Sequence, residues 1–266
     1  MSRFTVDDLR KSDGTQVPLT SVTAYDFTFA RLADEAGVDI LLVGDSLGMV
    51  VQGEETTLPV TLEQMVYHTR CVTRGRRRAL VVADLPFRAY KASPAQALDS
   101  ATRLMAEGGC EMVKLEGGRA MLETVAFLQE RDIPVMGHLG LTPQSVHQFG
   151  GFRVQGRNPD RAADLVEEAL DLERAGAQAL VLEAVPRDLA RRVTEAVAIP
   201  VIGIGAGPDC DGQVLVLHDV LGLYEGLQPR FAKRYMDGAD GIRGALGEFC
   251  AEVRDGRFPA DENSFD

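Results

Sequence analysis

The chain has 266 residues, and 45% of them are hydrophobic, which is enough to bury one sizeable core. Its 28 lysine and arginine residues are outnumbered by 40 acidic residues, so the formal net charge is −12. A protein that binds nucleic acid needs a basic surface to neutralise phosphates, so this charge argues against nucleic acid as a partner.

Targeting and redox signals point to the cytoplasm. No run of 18 apolar residues is present, and residues 1–5 lack the apolar core of a signal peptide, so we expect no membrane partner. The cysteines lie far apart, with no CxxC or zinc-site spacing, at Cys71, Cys110, Cys210 and Cys250. We therefore expect four free thiols in a reducing compartment.

Short apolar segments alternate with amphipathic segments along the whole chain. Strands are predicted at residues 18–23, 39–45, 79–84, 112–116, 133–136, 179–183, 199–203 and 214–217. Helices are predicted at residues 29–36, 61–74, 93–105, 121–128, 161–175, 187–196 and 239–253, with a short one near residues 5–9. Most connections between these elements contain glycine or proline, as expected of turns.

This alternation predicts a (β/α)8 TIM barrel. Continuous aliphatic runs suit strands that are buried on both faces of a parallel sheet. A helix–glycine–strand joint at residues 35–40 recurs at 107–112 and 174–179, which indicates a repeated βα unit. We expect one barrel domain over residues 1–266, with a short N-terminal extension and a C-terminal helix. A doubly wound sheet is the alternative, although it usually has fewer strands in this length.

Four of the predicted strands end in an acidic residue, namely Asp45, Asp84, Glu116 and Glu183. The first three strands are consecutive, so we expect Asp45, Asp84 and Glu116 to converge at one rim of the barrel. Carboxylates so close raise one another's pKa unless a cation lies among them, and such oxygen ligands suit Mg²⁺. The alternative is that each acid only caps the helix that follows it.

Other polar residues belong to the same predicted rim. Lys114 lies two residues before Glu116, on the same face of its strand, and would bind either a negatively charged substrate or one of the acids. Ser46 offers a hydroxyl and a backbone N–H to an anion. His138 follows the fifth predicted strand and could bind metal, move protons or only form hydrogen bonds.

Two further features lie beyond the three-acid cluster. Glu183 is predicted to face that cluster from across the barrel, where it would be available as a general base. The glycine-rich residues 203–207 follow the seventh predicted strand, where TIM barrels often bind phosphate. The alternative for this loop is a close-packed glycine turn.

Short motifs along nearly the whole chain closely resemble the ketopantoate hydroxymethyltransferase family. They are Thr23–Asp26, Gly44–Met49, Ala83–Phe87, Val113–Gly118, Gly137–Gln144, Glu183 with Val185–Pro186, Ile202–Gly207, Asp211–Val216 and His218–Asp219. In the C-terminal tail, Asn263 stands where the resemblance leads us to expect histidine.

The resemblance implies a magnesium-dependent active site. Asp45, Asp84 and Glu116 would hold Mg²⁺, directly or through water. Ser46, Asp84 and Lys114 would bind a 2-oxo acid, 3-methyl-2-oxobutanoate, with Asp45 contributing through the metal and its backbone.

The resemblance also implies the reaction. Glu183 would remove the C3 proton to form a Mg²⁺-stabilised enolate, and His138 is a further candidate for substrate binding. The one-carbon donor would be 5,10-methylenetetrahydrofolate, and the products would be 2-dehydropantoate and tetrahydrofolate, in pantothenate biosynthesis.

A homo-oligomer, commonly a decamer, is a further implication of the resemblance. The predicted C-terminal helix at residues 239–253 could pack between subunits through Leu246, Phe249 and Cys250. The same helix could instead simply close the barrel.

Two other functions are compatible with a barrel that carries an acid cluster. A Mg²⁺-dependent lyase or mutase of the phosphoenolpyruvate and isocitrate type would normally carry a mobile Lys-Cys-Gly-His loop, and no such loop occurs here. A barrel kept only as a binding or scaffold module would not need both Lys114 and Glu183.

Overall fold

A closed barrel of eight parallel strands forms the centre of the protein, in the order β1 to β8. This computed structural model describes residues 2–10, 17–223 and 229–266. The strands are β1 (Leu19–Thr23), β2 (Ile40–Val43), β3 (Leu80–Asp84), β4 (Met112–Glu116), β5 (Val135–Gly140), β6 (Ala179–Glu183), β7 (Val201–Ile204) and β8 (Gly212–Leu215). The predicted TIM-barrel fold class is therefore confirmed.

Helices surround the barrel and connect its strands. Within the described residues they are α1 (Phe27–Ala36), α2 (Leu47–Val50), α3 (Leu62–Gly75), α4 (Pro94–Arg103), α5 (Leu122–Gln129), α6 (Val146–Phe149), α7 (Pro159–Arg174), α8 (Arg187–Ala196), α9 (Leu217–Leu221) and α10 (Gly241–Arg254). A π-helical segment, Leu104–Gly108, extends α4. Short 3-10 helices are Asp7–Leu9, Arg119–Met121, Pro143–Ser145 and Asp261–Asn263.

The predicted helix starts at Thr61 and Ser93 are confirmed. Thr61 forms a capping box with Gln64, in which each side chain bonds the backbone N–H of the other residue. The Ser93 side chain accepts a hydrogen bond from the Gln96 N–H, and Pro94 occupies the first helical position. These caps satisfy N–H groups that have no partner inside the helix.

Apolar strand and helix residues form one buried core around the barrel. Apart from Glu183 at the end of β6, every strand residue is buried, as expected for strands covered by helices on one side and packed inside the barrel on the other. All four cysteines are free, as predicted. No helix in the described segments is both long enough and apolar enough to cross a bilayer.

The eighth strand differs from the prediction of residues 214–217. β8 begins at Gly212, whose backbone pairs with Leu19 of β1 and Ile202 of β7. Leu217 instead begins α9, and its N–H donates to Thr23 Oγ1 at 2.9 Å. An apolar run shows that a segment is buried, but only pairing with both neighbours decides which residues are in the strand.

Two other boundaries change the position of site residues. β2 ends at Val43, so Asp45 lies in the following turn rather than at the last strand position. β5 runs from Val135 to Gly140, so His138 lies inside a strand and pairs with Glu116 and Val181 instead of following the strand end.

The C-terminal helix packs against its own barrel. Leu246, Phe249 and Cys250 of α10 are buried within the chain, with exposed fractions of 0%, 0% and 2%. These three side chains are therefore not available for packing between subunits, and the alternative that α10 closes the barrel is correct.

Candidate active site

A cavity of about 710 Å³ opens at the carboxyl ends of the strands. Its wall includes all seven predicted site residues, namely Asp45, Ser46, Asp84, Lys114, Glu116, His138 and Glu183. This volume is within the usual range for small-molecule sites, and the position is the one that TIM-barrel enzymes use.

An ion pair lies at the centre of the charged side of the cavity. Lys114 Nζ lies 3.0 Å from Asp84 Oδ1, and both side chains are about 95% buried. The other carboxylate oxygen of Asp84 accepts a hydrogen bond from the Asp45 backbone N–H at 3.0 Å. Asp84, at the end of β3, therefore contacts both β4 and the turn that follows β2, and the structural ion pair considered for Lys114 is present.

Gln144 connects two of the acids, although the sequence analysis assigned it no role. Its Nε2 donates to Asp45 Oδ2 at 2.8 Å and to the Leu85 carbonyl at 3.0 Å, while its backbone N–H donates to Glu116 Oε2 at 2.9 Å. The hydroxyl of buried Tyr90 donates to Gln144 Oε1 at 2.7 Å. Gln144 thus sets the separation of Asp45 and Glu116.

His138 links Glu116 to Glu183. Its Nδ1 lies 3.6 Å from Glu116 Oε1 and 3.2 Å from Lys114 Nζ, and its Nε2 lies 3.2 Å from Glu183 Oε2. Glu183 is thus two strands from Glu116 and connected to it, rather than isolated across the barrel. Its side chain is 14% exposed, more than the 2% of Glu116, and this exposed part faces the cavity.

Ser46 is positioned by Tyr25, a residue of the motif Thr23–Asp26 for which the sequence predicted no role. The Tyr25 hydroxyl lies 2.9 Å from Ser46 Oγ, within hydrogen-bond distance. The Tyr25 carbonyl in turn lies 2.6 Å from His68 Nδ1. These contacts orient the serine hydroxyl towards the cavity wall that also carries Asp45 and Asp84.

Burial and neighbouring charges shift the pKa values in this cluster. Burial raises the pKa of Asp45, and the nearby carboxylates of Asp84 and Glu116 raise it further. Burial also raises the pKa of Asp84, although Lys114 opposes this shift. Burial alone would lower the pKa of Lys114, but Asp84, Glu116 and Asp45 outweigh it and raise that pKa. Lys114 therefore does not fully offset the effect of burial and of the neighbouring carboxylates on the pKa of Asp45.

The pKa values of His138 and Glu116 are shifted in opposite directions. Burial and Lys114 both act to lower the pKa of His138, but hydrogen bonds with Glu116 and Glu183 outweigh them and raise it. Burial acts to raise the pKa of Glu116, but His138 and Lys114 outweigh it and lower that pKa. The two groups therefore stabilise each other in their charged forms.

The glycine-rich loop packs against the C-terminal part of the chain. A Cβ atom on Gly205, whose φ is +60°, would lie 3.1 Å from ring atoms of both Phe231 and Phe265. On Gly207 a Cβ atom would lie 2.7 Å from the Arg187 Cβ. These contacts favour the close-packed glycine turn over a phosphate site for residues 203–207.

Comparison with known proteins identifies the family. The chain matches the family model for ketopantoate hydroxymethyltransferase over residues 3–261. The chain belongs to this family. It is therefore an enzyme, a hydroxymethyltransferase, as the sequence motifs indicated.

Full-length relatives support this membership. A protein of Magnetococcus marinus named 3-methyl-2-oxobutanoate hydroxymethyltransferase is 55% identical over 99% of this chain and 98% of its own length. A Shewanella loihica protein of the same name is 56% identical over the full length of both chains.

Solved structures extend the likeness of fold beyond the ketopantoate hydroxymethyltransferase family. The structure of 2,3-dimethylmalate lyase, a member of the PEP mutase/isocitrate lyase superfamily, aligns with a TM-score of 0.54. The alignment covers 74% of this chain and 70% of the lyase, at 20% identity. At this identity the likeness shows a shared barrel, and the family match carries the functional argument.

The donor set fits a magnesium ion with few protein ligands. Among the described residues, no group of three or more His, Cys, Asp or Glu side chains is arranged as a ready-made metal site. Glu116 is already bound by the Gln144 N–H and lies beside His138, whereas Asp45 and Asp84 are joined through a backbone hydrogen bond. Mg²⁺ in enzymes commonly uses one or two carboxylates and completes its shell with water and substrate, and a cation would offset the repulsion at Asp45.

Proposed function

We propose that the chain transfers a hydroxymethyl group from 5,10-methylenetetrahydrofolate to 3-methyl-2-oxobutanoate. The products would be 2-dehydropantoate and tetrahydrofolate, in pantothenate biosynthesis. The family match and the names of the full-length relatives support this reaction. The observation that carries the proposal is the continuous line of contacts from Asp84 through Lys114 and His138 to Glu183.

The keto acid would bind at the Asp45–Asp84–Lys114 side of the cavity. Mg²⁺ held by Asp45 and Asp84, with Glu116 acting through water, would polarise the keto group when bound. Lys114 supplies a buried positive charge beside the bound carboxylate of the substrate, and the Ser46 hydroxyl can donate a hydrogen bond to it. These contacts would fix the C3 carbon relative to Glu183.

Glu183 would act as the general base that removes the C3 proton. Its side chain is more exposed to the cavity than those of Asp84 and Glu116, and its contact with His138 holds it in one orientation. The electron pair left at C3 would be delocalised onto the keto oxygen. A positioned general base is worth about 10²–10⁴-fold in rate.

The bond between N10 and the methylene carbon of the folate would break first, with a proton taken up at N10, and the carbon–carbon bond would then form between C3 and that methylene carbon. Water would replace N5, the remaining folate nitrogen on that carbon, which leaves a hydroxymethyl group on the keto acid and, after N5 takes up a proton, releases tetrahydrofolate. Both substrates must therefore reach the same cavity, with the folate on the side away from Glu116 and Lys114.

Exchange of the C3 proton of 3-methyl-2-oxobutanoate with deuterated water tests this proposal, since it reports proton removal without hydroxymethyl transfer. We expect exchange that needs a divalent cation and that falls about 10²–10⁴-fold in Glu183→Gln. Glu183→Gln should still bind Mg²⁺ and the keto acid, which calorimetry can measure. Full activity after exhaustive chelation, or no folate-dependent consumption of the keto acid, would contradict the proposal.

His138 is the alternative base, and the same assay distinguishes it. If His138 removes the proton, His138→Asn abolishes exchange while Glu183→Gln leaves it nearly intact. That result would move the catalytic role to His138 and leave Glu183 as a residue that orients the imidazole.

A further inference from the structure

The cavity has two chemically different sides. The ends of β2 to β6 carry the charged residues described above, whereas β7, β8 and the C-terminal residues form an apolar side. That apolar side is lined by Ile204, Val214, Val216, Phe231 and Phe265. A second and larger substrate can therefore lie there while the keto acid occupies the charged side.

Asp219 of α9 lies on this apolar side, and only 7% of it is exposed. Among the described residues, its carboxyl group has no hydrogen-bond or ion-pair partner, and it does not cap its own short helix. Burial alone raises its pKa to about 6. By contrast, Asp84 is paired with Lys114, and Glu116 is hydrogen-bonded by Gln144. A buried carboxyl without a donor is costly, so a bound molecule is expected to supply the donor.

Two aromatic rings flank the same side of the cavity. Phe231 and Phe265 both lie beside Gly205, where a Cβ atom would be 3.1 Å from a ring atom of each, so the close approach of the two rings requires glycine at this position. The Arg230 guanidinium lies 5.6 Å from the centre of the Phe265 ring, and Arg230 Nε donates to the Glu262 carbonyl at 3.0 Å. These contacts hold flat apolar surfaces on which a planar heteroaromatic ring can stack.

We propose that Asp219 binds the pterin ring of the folate co-substrate, with its carboxylate accepting hydrogen bonds from the N3–H and the 2-amino group. The two donors of this aminopyrimidinone are parallel, as in a guanidinium group, and match the two oxygens of one carboxylate. The keto acid carries no N–H donor and cannot use Asp219. This assignment rests on the proposed function.

The first test compares Asp219→Asn with the wild type in full turnover and in C3 exchange. Asparagine keeps the size but replaces one acceptor with a donor, which would face the donors of the pterin ring. We expect the KM for 5,10-methylenetetrahydrofolate to rise about 10–100-fold, as for the loss of charge-assisted hydrogen bonds. Exchange without folate should stay within about two-fold. Asp209 is an exposed acid between β7 and β8. Asp209→Asn is the matched control and should change neither the KM for the folate nor the exchange rate.

The second test changes the ligand instead of the protein. A tetrahydrofolate analogue in which a methyl group replaces the 2-amino group should bind the wild type about ten-fold more weakly than tetrahydrofolate does. In Asp219→Asn the two compounds should bind alike, since the contact that distinguishes them is gone. If Asp219→Asn fails to fold, Asp219→Ala is used in both tests.

The outcomes separate this inference from the proposed function. A wild type that exchanges the C3 proton and turns over folate, beside an Asp219→Asn variant with an unchanged KM for folate, overturns only the Asp219 assignment. The Asp219 assignment is also overturned if the analogue binds more weakly than tetrahydrofolate by the same factor in the wild type and in Asp219→Asn. A wild type with neither exchange nor folate-dependent turnover overturns both.

Discussion

At the scale of single residues, Gln144 is the group on which the geometry of the acids most depends. It makes no contact that requires charge, yet it bonds Asp45, Glu116 and the Leu85 carbonyl at once. In the proposed site, where Asp45 and Glu116 would hold Mg²⁺, Gln144 would orient both carboxylates.

We expect Gln144→Met to reduce kcat/KM about 10–100-fold, because Asp45 loses its side-chain donor while the volume of the side chain is kept. Mg²⁺ affinity, measured by calorimetry, should fall together with activity. Gln129→Met, at an exposed position at the end of α5, is the control. Unchanged Mg²⁺ affinity and activity in Gln144→Met would show that the acids hold their positions without it.

The buried carboxyl group of Asp219 is expected to make the stability of the protein depend on pH. Burial raises its pKa from the ordinary value of 3.8 to about 6, so the folded protein binds this proton more tightly than the unfolded chain. The contribution to stability is therefore complete below about pH 4 and is lost as the pH rises through 6, a change on the order of 3 kcal/mol.

Asp219→Asn removes this pH dependence. In denaturant unfolding the variant and the wild type should be similar at pH 4, and the variant should be more stable at pH 7. If the free energies of unfolding of the wild type and the variant differ by the same amount at pH 4 and at pH 7, the assigned environment of Asp219 is wrong.

At the scale of elements, helix α1 holds the connection between α3 and β3. The Asp34 carboxylate accepts hydrogen bonds from three consecutive backbone N–H groups, at 3.1 Å from Arg77, 2.9 Å from Arg78 and 2.6 Å from Ala79. Only 8% of Asp34 is exposed. This contact positions β3, and with it Asp84 at the other end of that strand.

We expect Asp34→Asn to lower the free energy of unfolding by about 2–4 kcal/mol, because an amide offers one acceptor oxygen where the carboxylate offers two, and no charge. Glu35→Gln is the matched control in the same helix, since Glu35 forms partly exposed ion pairs with Arg31 and Arg243, and the substitution should cost less than about 1 kcal/mol. Urea unfolding measures both, and equal losses would refute the special role of Asp34.

At the scale of the whole molecule, we expect a homo-oligomer in solution, as the family resemblance implies. The contacts that hold it must lie outside the apolar face of α10, which is buried in its own chain. Leu246→Ala should therefore lower stability by about 2–5 kcal/mol, as for a core leucine, and leave the particle mass unchanged. Light scattering measures the mass. A monomeric wild type would contradict the oligomer, and dissociation by Leu246→Ala would contradict the burial argument.

The barrel and most of the rim residues could be predicted from the sequence because they depend on local patterns. An aliphatic run of strand length, followed by an acid and a glycine turn, specifies a buried strand and the rim at which it ends. Asp84, Glu116 and Glu183 are the last residues of β3, β4 and β6, as that pattern predicts. The helix starts at Thr61 and Ser93 are equally local, because a cap bonds an N–H group only a few residues away.

Only the tertiary structure decided which of these groups touch. The contacts of Gln144 with Asp45 and Leu85 span 99 and 59 residues of the chain, and the His138 contact with Glu183 depends on the pairing of β5 with β6. The start of β8 likewise follows from its pairing with β1 and β7. No local pattern encodes such distances, because they arise when the sheet closes and sets the register of every strand at once.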